Sequence, residues 1–349
     1  ERQREHWDSV LAEVVRTGPR VTVPIRERLK AGVKERFGAA LRTADQNPVI
    51  LTFHRVVDLE DPLEVSATCP WISLRTFEAL LDRATREFEV VPLHDILRSS
   101  GKGRVRLALT FDDAWADNLH VAAPALSARG LPWAVFPATA YAGTDRRTWQ
   151  DRLWEGALTL FRRGEPMPAV WRGVWPADPS RSRAELALRC QEVVARVKRW
   201  DPGQRAEILG TLPAPAEGGP PRYLGPSELK QLATAGVLVG SHTHEHVMLA
   251  QAGEEEVRHE LERSAGLLCE WLGERPGALV YPNGSVSARV AALAREAGYR
   301  LGLTTREGRV ESDADPMLLP RVDMTEERVA GADARFSYDR FRYELARVP

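Results

Sequence analysis

Long apolar runs are missing from this chain: none approaches the roughly 20 residues that cross a bilayer, so no integral membrane segment is expected. The N-terminus is charged and unlike a signal peptide, which points to the cytoplasm; because residue 1 is Glu1 and not Met, a removed leader would instead place the protein in the periplasm or outside the cell. Cysteine is scarce as well. Cys69, Cys190 and Cys269 are odd in number and far apart, a pattern that excludes a disulfide framework and a cysteine-based zinc site. Charge of one sign is also absent: 48 Lys plus Arg against 49 Asp plus Glu leave a net charge of -1. Without a basic field to gather phosphates, no nucleic-acid partner is expected. The chain carries no internal repeat and no low-complexity tract.

What is present is an alternation. Short, nearly continuous apolar runs at 48–53, 105–111, 133–136, 237–240, 278–281 and 300–304 are separated by helical patterns at 73–86, 117–128, 227–235, 254–272 and 286–297. Strands with so little polar interruption are covered on both faces, which implies a parallel sheet flanked by helices. The number of units suits a closed or nearly closed (β/α) barrel, in which chemistry gathers where strand C-terminal ends meet loops. Residues 1–46 read as a helical extension, and 47–349 as the barrel domain. Between about 144 and 226 the alternation stops in a stretch rich in Trp, Arg and Pro. A structureless loop of that length is implausible, so a helical insertion is expected there. Its Trp149, Trp154, Trp171, Trp175 and Trp200 suit either packing onto the barrel or stacking on sugar rings.

Two strand ends carry the chemistry. The run Leu109-Thr110-Phe111 ends on Asp112 and Asp113. Neighbouring residues at a strand end point in different directions, so one carboxylate can bind a metal while the other faces a water on it; the pair could also simply cap the following helix. After the run at 237–240 comes Ser241-His242-Thr243-His244-Glu245-His246, and neutral imidazole is the commonest transition-metal ligand. A helical turn would bring His242 and His246 together, whereas an extended strand would align all three histidines. Two other metal motifs fail. His-Glu-x-x-His begun at His244 would need histidine where Met248 stands, and the Pro-Cys-x-x-Cys of zinc deaminases is absent.

Thr110-Phe111-Asp112-Asp113, then Ser241-His242-Thr243 with His246, then Tyr281-Pro282-Asn283-Gly284 together resemble the polysaccharide deacetylase (NodB-homology) family in order and spacing, over about residues 47–321. The resemblance implies a distorted (β/α) barrel with a helical insertion, and a metal-dependent hydrolase that removes N-acetyl groups from an N-acetylated hexosamine in a glycan. It implies Asp112 as catalytic base and Asp113, His242 and His246 as ligands of Zn2+ or another divalent transition metal. His244 becomes a bystander or a group that supports the ligands from behind, and Thr243 orients a loop or ligand.

The chain departs from the common pattern in two places. Val280-Tyr281-Pro282-Asn283 lacks the arginine that orients the base; Arg321 is the candidate substitute partner for Asp112, and the backbone N–H of Asn283 the candidate oxyanion donor. No histidine follows His259, so the late histidine motif is absent. Expelling an amine requires a general acid, and His54 at the end of the first strand is the candidate, an arrangement similar to that of poly-N-acetylglucosamine deacetylases. Two other functions fit parts of the pattern: an amidase acting on a non-sugar amide, and a non-catalytic glycan-binding barrel.

Overall fold

A computed structural model describes residues 47–347 except 59–67, 99–102, 177, 179, 199, 215–221 and 332–334. The extension expected over 1–46 lies outside the described residues. Among the described residues ten strands are defined: β1 (Val49–Phe53), β2 (Arg55–Val57), β3 (Trp71–Ser73), β4 (Glu89–Val90), β5 (Arg106–Asp113), β6 (Ala134–Pro137), β7 (Leu238–Val239), β8 (Ala278–Val280), β9 (Leu301–Leu303) and β10 (Val322–Asp323). Every ladder between them is parallel. The continuous sheet runs β10–β1–β5–β6–β7. Two isolated bridges carry it round: Ser241 pairs with Leu279 beyond β7, and Leu303 of β9 pairs with Leu319 just before β10. With β8 paired to β9, the sheet returns to its starting edge as a distorted barrel.

Burial of β1 explains why it is apolar but for Thr52: Val49, Ile50, Leu51 and Phe53 have no exposed surface, and successive side chains serve the interior and the helical layer in turn. Ile50, Ala108, Ala134, Phe136, Ala278, Val280, Leu303 and Leu319 pack in one cluster. Leu51, Phe53, Leu107, Leu109 and Phe111 belong to another, together with residues of the surrounding helices. Those helices are α1 (Leu74–Glu87) and α2 (Ala123–Ser127) and, after the insertion, α6 (Pro226–Thr234), α7 (Glu254–Leu272), α8 (Ala288–Glu296), α9 (Glu326–Val329) and α10 (Tyr338–Ala346). Ser73 caps α1 by accepting the Thr76 N–H, and Ser287 caps α8 by accepting that of Val290, as expected of N-cap serines. Among the described residues no helix is long and apolar enough to cross a membrane.

The insertion contributes α3 (Trp149–Arg163), α4 (Arg183–Val197) and α5 (Pro202–Gly210), which enclose a separate apolar core of Leu153, Trp154, Ala157, Trp171, Cys190, Val193, Val197 and Leu209. Its return to the barrel is tied to the segment just after Asp113. Trp115 bridges Tyr223, Ala116 donates to the Arg222 carbonyl at 2.8 Å, and Leu224 donates to that of Ala114 at 2.8 Å. Arg222 also pairs with Glu155 of α3. These bonds set α3 and α4 beside the strand end that bears the two carboxylates.

Candidate active site

Asp112 and Asp113 end β5 opposite Phe136 and Pro137 of β6. Thr110 and Asp112 share the inward face by alternation, and there Arg321 meets both. Its guanidinium donates to the two Asp112 oxygens at 2.7 and 2.7 Å, to Thr110 Oγ1 at 3.3 Å, and through Nε to the Thr304 carbonyl at 2.9 Å. Asp112 and Arg321 are 3% and 2% exposed, so the pair is out of solvent. Burial pushes the Asp112 carboxyl upward, but the guanidinium, with smaller help from His242 and His54, outweighs it and holds the group well below the usual carboxylate range. An arginine partner for Asp112, absent from 280–283, thus comes from the segment that closes the barrel.

Asp113 turns the other way because its backbone enters the left-handed region at φ 68°. Its Oδ1 lies 3.6 Å from His242 Nε2 and 3.6 Å from His246 Nε2. That is too long for a hydrogen bond but close to the ligand spacing around a tetrahedral ion with bonds of about 2.1 Å. His242 Nδ1 lies 2.9 Å from the Val280 carbonyl, which fixes the N–H there and leaves Nε2 as a free lone pair. Asp113 Oδ2 accepts the Trp115 indole N–H at 3.1 Å, so its other oxygen is the one left for a cation. Burial, then the neighbouring His242, lowers the His246 pKa to about 4; the ring is neutral near pH 7, as a ligand must be. The ligand atoms of Asp113, His242 and His246 all lie within 4.8 Å of one another, and the donor set fits a divalent transition metal. Asp113→Asn and His246→Ala are each expected to weaken zinc binding by more than about a hundredfold, read as zinc retained after gel filtration.

The histidine segment is neither a helical turn nor a straight strand. Thr243 (φ 67°) and His246 (φ 58°) are left-handed, and the other non-glycine residues of this kind among those described are Asp113, Ala114 and Asn283. All five lie at this site or next to it, and such strain persists only where surrounding bonds over-determine it. Here Glu260, 2% exposed on α7, accepts the N–H groups of His244 and Glu245 at 2.9 and 2.8 Å. Ser241 Oγ accepts the Thr243 N–H at 3.1 Å. Gly240 is required because a Cβ there would lie 2.3 Å from the Phe136 ring. His244 takes no part in the triad and bonds Thr139 Oγ1 at 2.9 Å. The Thr243 hydroxyl is buried without a hydrogen-bond partner among the described residues.

His54, between β1 and β2, lines the same cavity of about 270 Å³ as Asp112, Asp113, His242, His246 and Asn283. Its carbonyl accepts from Asn118 at 2.8 Å, and the next residues are held by Asp117, which takes the Arg55 Nε–H at 2.7 Å and the Val56 N–H at 3.1 Å. Asn283 sits at φ 54° within a short 3-10 turn. The sequence reading missed Trp115, Tyr141 and Cys69 on the barrel side of the cavity and Tyr223 at the insertion's return, and Glu260. A signal for Glu260 existed: it falls on the buried stripe of α7 with Val257, Leu261, Ser264 and Leu268, where an unpaired carboxylate is costly. None of the five insertion tryptophans lines this cavity. Trp154 and Trp171 are buried in the insertion core, and Trp149, Trp175 and Trp200 pack against it.

This geometry agrees with the comparisons to known proteins. Residues 100–302, more than half of the chain, match the family model for polysaccharide deacetylase: the chain belongs to that family, whose members are generally metal-dependent. The match includes Asp112, Asp113, His242, His246 and Asn283, and leaves His54 and Arg321 outside it. YxkH of Bacillus subtilis (strain 168), whose name assigns it provisionally to the polysaccharide deacetylases, is 26% identical over 104 residues, 30% of this chain and 37% of that relative. The chain thus matches little more than a third of that protein's length. Among solved structures, the Streptococcus pyogenes deacetylase PplD in complex with acetate superposes with a TM-score of 0.54 at 17% identity, over 81% of this chain and 94% of that one. IcaB from Ammonifex degensii gives 0.53 at 18% identity, over 86% and 97%. At such identities the likeness is one of fold.

Proposed function

We propose that this chain is a metal-dependent hydrolase that removes the acetyl group from an N-acetylated hexosamine of a glycan, releasing acetate. The observation that carries the reading is the convergence of the Asp113–His242–His246 ligand set with Asp112, a separate carboxylate locked by Arg321 and left off the set. A hydrolytic zinc site needs that division between ligand and base. Zn2+ is the ion the two imidazoles and one carboxylate suit best; bound there, it would polarise the acyl group and ease deprotonation of a water.

The residues then divide the work. Asp112, ionised throughout the working range, takes a proton from the water that attacks the acetyl carbon. The Asn283 N–H donates to the acyl oxygen as negative charge develops on it, where a fixed backbone dipole costs no reorganisation. As the carbon–nitrogen bond breaks, His54 gives its proton to the amine, which otherwise is a poor leaving group. Trp115 and Tyr223, 4.6 Å apart between ring centroids, form an apolar wall suited to the face of a sugar.

The test is acetate release from N-acetylglucosamine oligomers by purified protein, with and without a chelator and with zinc restored. Acetate that vanishes with the chelator and returns with zinc is the expected result. A protein that holds one zinc per chain but frees no acetate from any acetylated sugar, while hydrolysing simple amides, would reassign it as an amidase; no hydrolysis of either class would leave glycan binding.

A further inference from the structure

The insertion side of the catalytic cavity carries polar groups that the reaction above does not use. Lys198, the residue that ends α4, and Gln150, in the first turn of α3, both line the cavity with Val194 of α4. Lys198 and Gln150 are half-buried, and neither side chain has a hydrogen-bond or ion-pair partner among the described residues. Tyr223 closes the same wall, 3% exposed, with its hydroxyl buried and unbonded. Of these three donors the Tyr223 hydroxyl is the buried one, and leaving it unbonded is costly unless a ligand satisfies it; the half-exposed Lys198 and Gln150 side chains border the same space.

The charges differ in how they are balanced. Asp112 is neutralised by Arg321, Asp113 belongs with His242 and His246 to the group that could hold a cation, and Asp151 lies 3.9 Å from Arg222. Lys198 has no such counterpart: burial alone depresses its pKa, with no described carboxylate near enough to oppose that. A lysine that merely complements a helix C-terminus gains that interaction in full solvent and has no need to be drawn into a cavity wall. Lys198 lines the same cavity as Asp112, His242 and His246, so whatever meets Lys198 is attached to the ring being deacetylated or close to it.

Resting on the deacetylase reading, we propose that Lys198, assisted by Gln150 and Tyr223, recognises an anionic substituent of the substrate, a carboxylate or a phosphate carried by the acetylated sugar or its immediate neighbour. The insertion then selects the substrate while the barrel performs the chemistry. Lys198 is a specificity residue: its loss removes the preference for the anionic sugar and leaves the neutral one bound as before.

Calorimetric Kd values for N-acetylglucosamine, N-acetylglucosamine 1-phosphate and N-acetylmuramic acid, measured on zinc-loaded wild type, Lys198→Met and Lys198→Arg, test this. Wild type is expected to bind at least one of the two anionic sugars about tenfold more tightly than the neutral one, and which one it favours separates phosphate from carboxylate. Lys198→Met is expected to erase that ratio with the neutral sugar unchanged, and Lys198→Arg to keep most of it. Equal Kd values for all three sugars in wild type, or a ratio that survives in Lys198→Met, would overturn the inference. Acetate release over the same panel tests the parent reading separately. Anion-selective binding without acetate would sink the deacetylase and leave the anion site standing; acetate without selectivity would do the reverse.

Discussion

Asp112→Asn is expected to reduce acetate release by about a thousandfold or more while the protein still holds one zinc per chain. The size follows from the role: loss of a positioned general base costs about 10²–10⁴ in rate, and asparagine cannot accept the proton. Zinc retention follows from the proposed roles, because Asp113, His242 and His246 are the group that could hold the ion and the Asp112 oxygens are both occupied by Arg321. Asparagine also leaves the Arg321 guanidinium, 2% exposed, without a counter-charge, and breaking a buried pair costs about 3–5 kcal/mol. A lowered melting temperature is therefore expected alongside the lost turnover. Zinc analysis and circular dichroism on the same sample separate the two effects. If zinc were lost from Asp112→Asn as fully as from His246→Ala, the division between base and ligand would be wrong and both carboxylates would belong to the metal.

Much of this site is legible in the sequence, and the parts that are not share a physical cause. The strand ends at Asp112–Asp113 and Gly240–His242 announce themselves because buried parallel strands are apolar up to the point where they leave the barrel. The path of the histidine segment does not, since left-handed backbone at Thr243 and His246 is imposed by bonds from Glu260 and Ser241 and not by the residues' own preference. β10 is two residues long, too short for a periodic signal, so Arg321 can be nominated by chemistry but placed only by the closure of the barrel. The insertion is recognisable as helical from its length and composition. That Gln150 and Lys198 reach the catalytic cavity depends on the pairing of 222–224 with 114–116, a tertiary fact that no local pattern encodes. The tryptophans show the converse: the residues most suggestive of sugar binding serve the insertion's own core, and the aromatic wall of the cavity is made by Trp115 and Tyr223.

Arg321→Met should uncouple the base from its charge, and it has the second large expected effect. In the wild type the guanidinium holds Asp112 ionised against its burial; without it burial acts unopposed and the carboxyl pKa rises above the ordinary value of about 3.9. The acid limb of the kcat/KM profile is expected to move to higher pH, with activity near pH 7 reduced about a hundredfold by a base that is both partly protonated and free to rotate. Stability changes with a definite sign. A carboxyl whose folded pKa is depressed contributes stability that is fully present above the unfolded pKa and lost as pH falls towards the folded pKa. In Arg321→Met the folded pKa is raised, so the variant loses stability as pH rises through and above about 4. The gap in melting temperature between wild type and variant, both stripped of metal, should therefore widen from pH 4 to pH 8. Adding Asp112→Asn to Arg321→Met should narrow that gap at pH 8, because the buried carboxylate is then gone. A gap independent of pH, not narrowed by the second substitution, would mean that Arg321 acts through packing and its bond to the Thr304 carbonyl, and that the ionisation of Asp112 is set by something other than the guanidinium beside it.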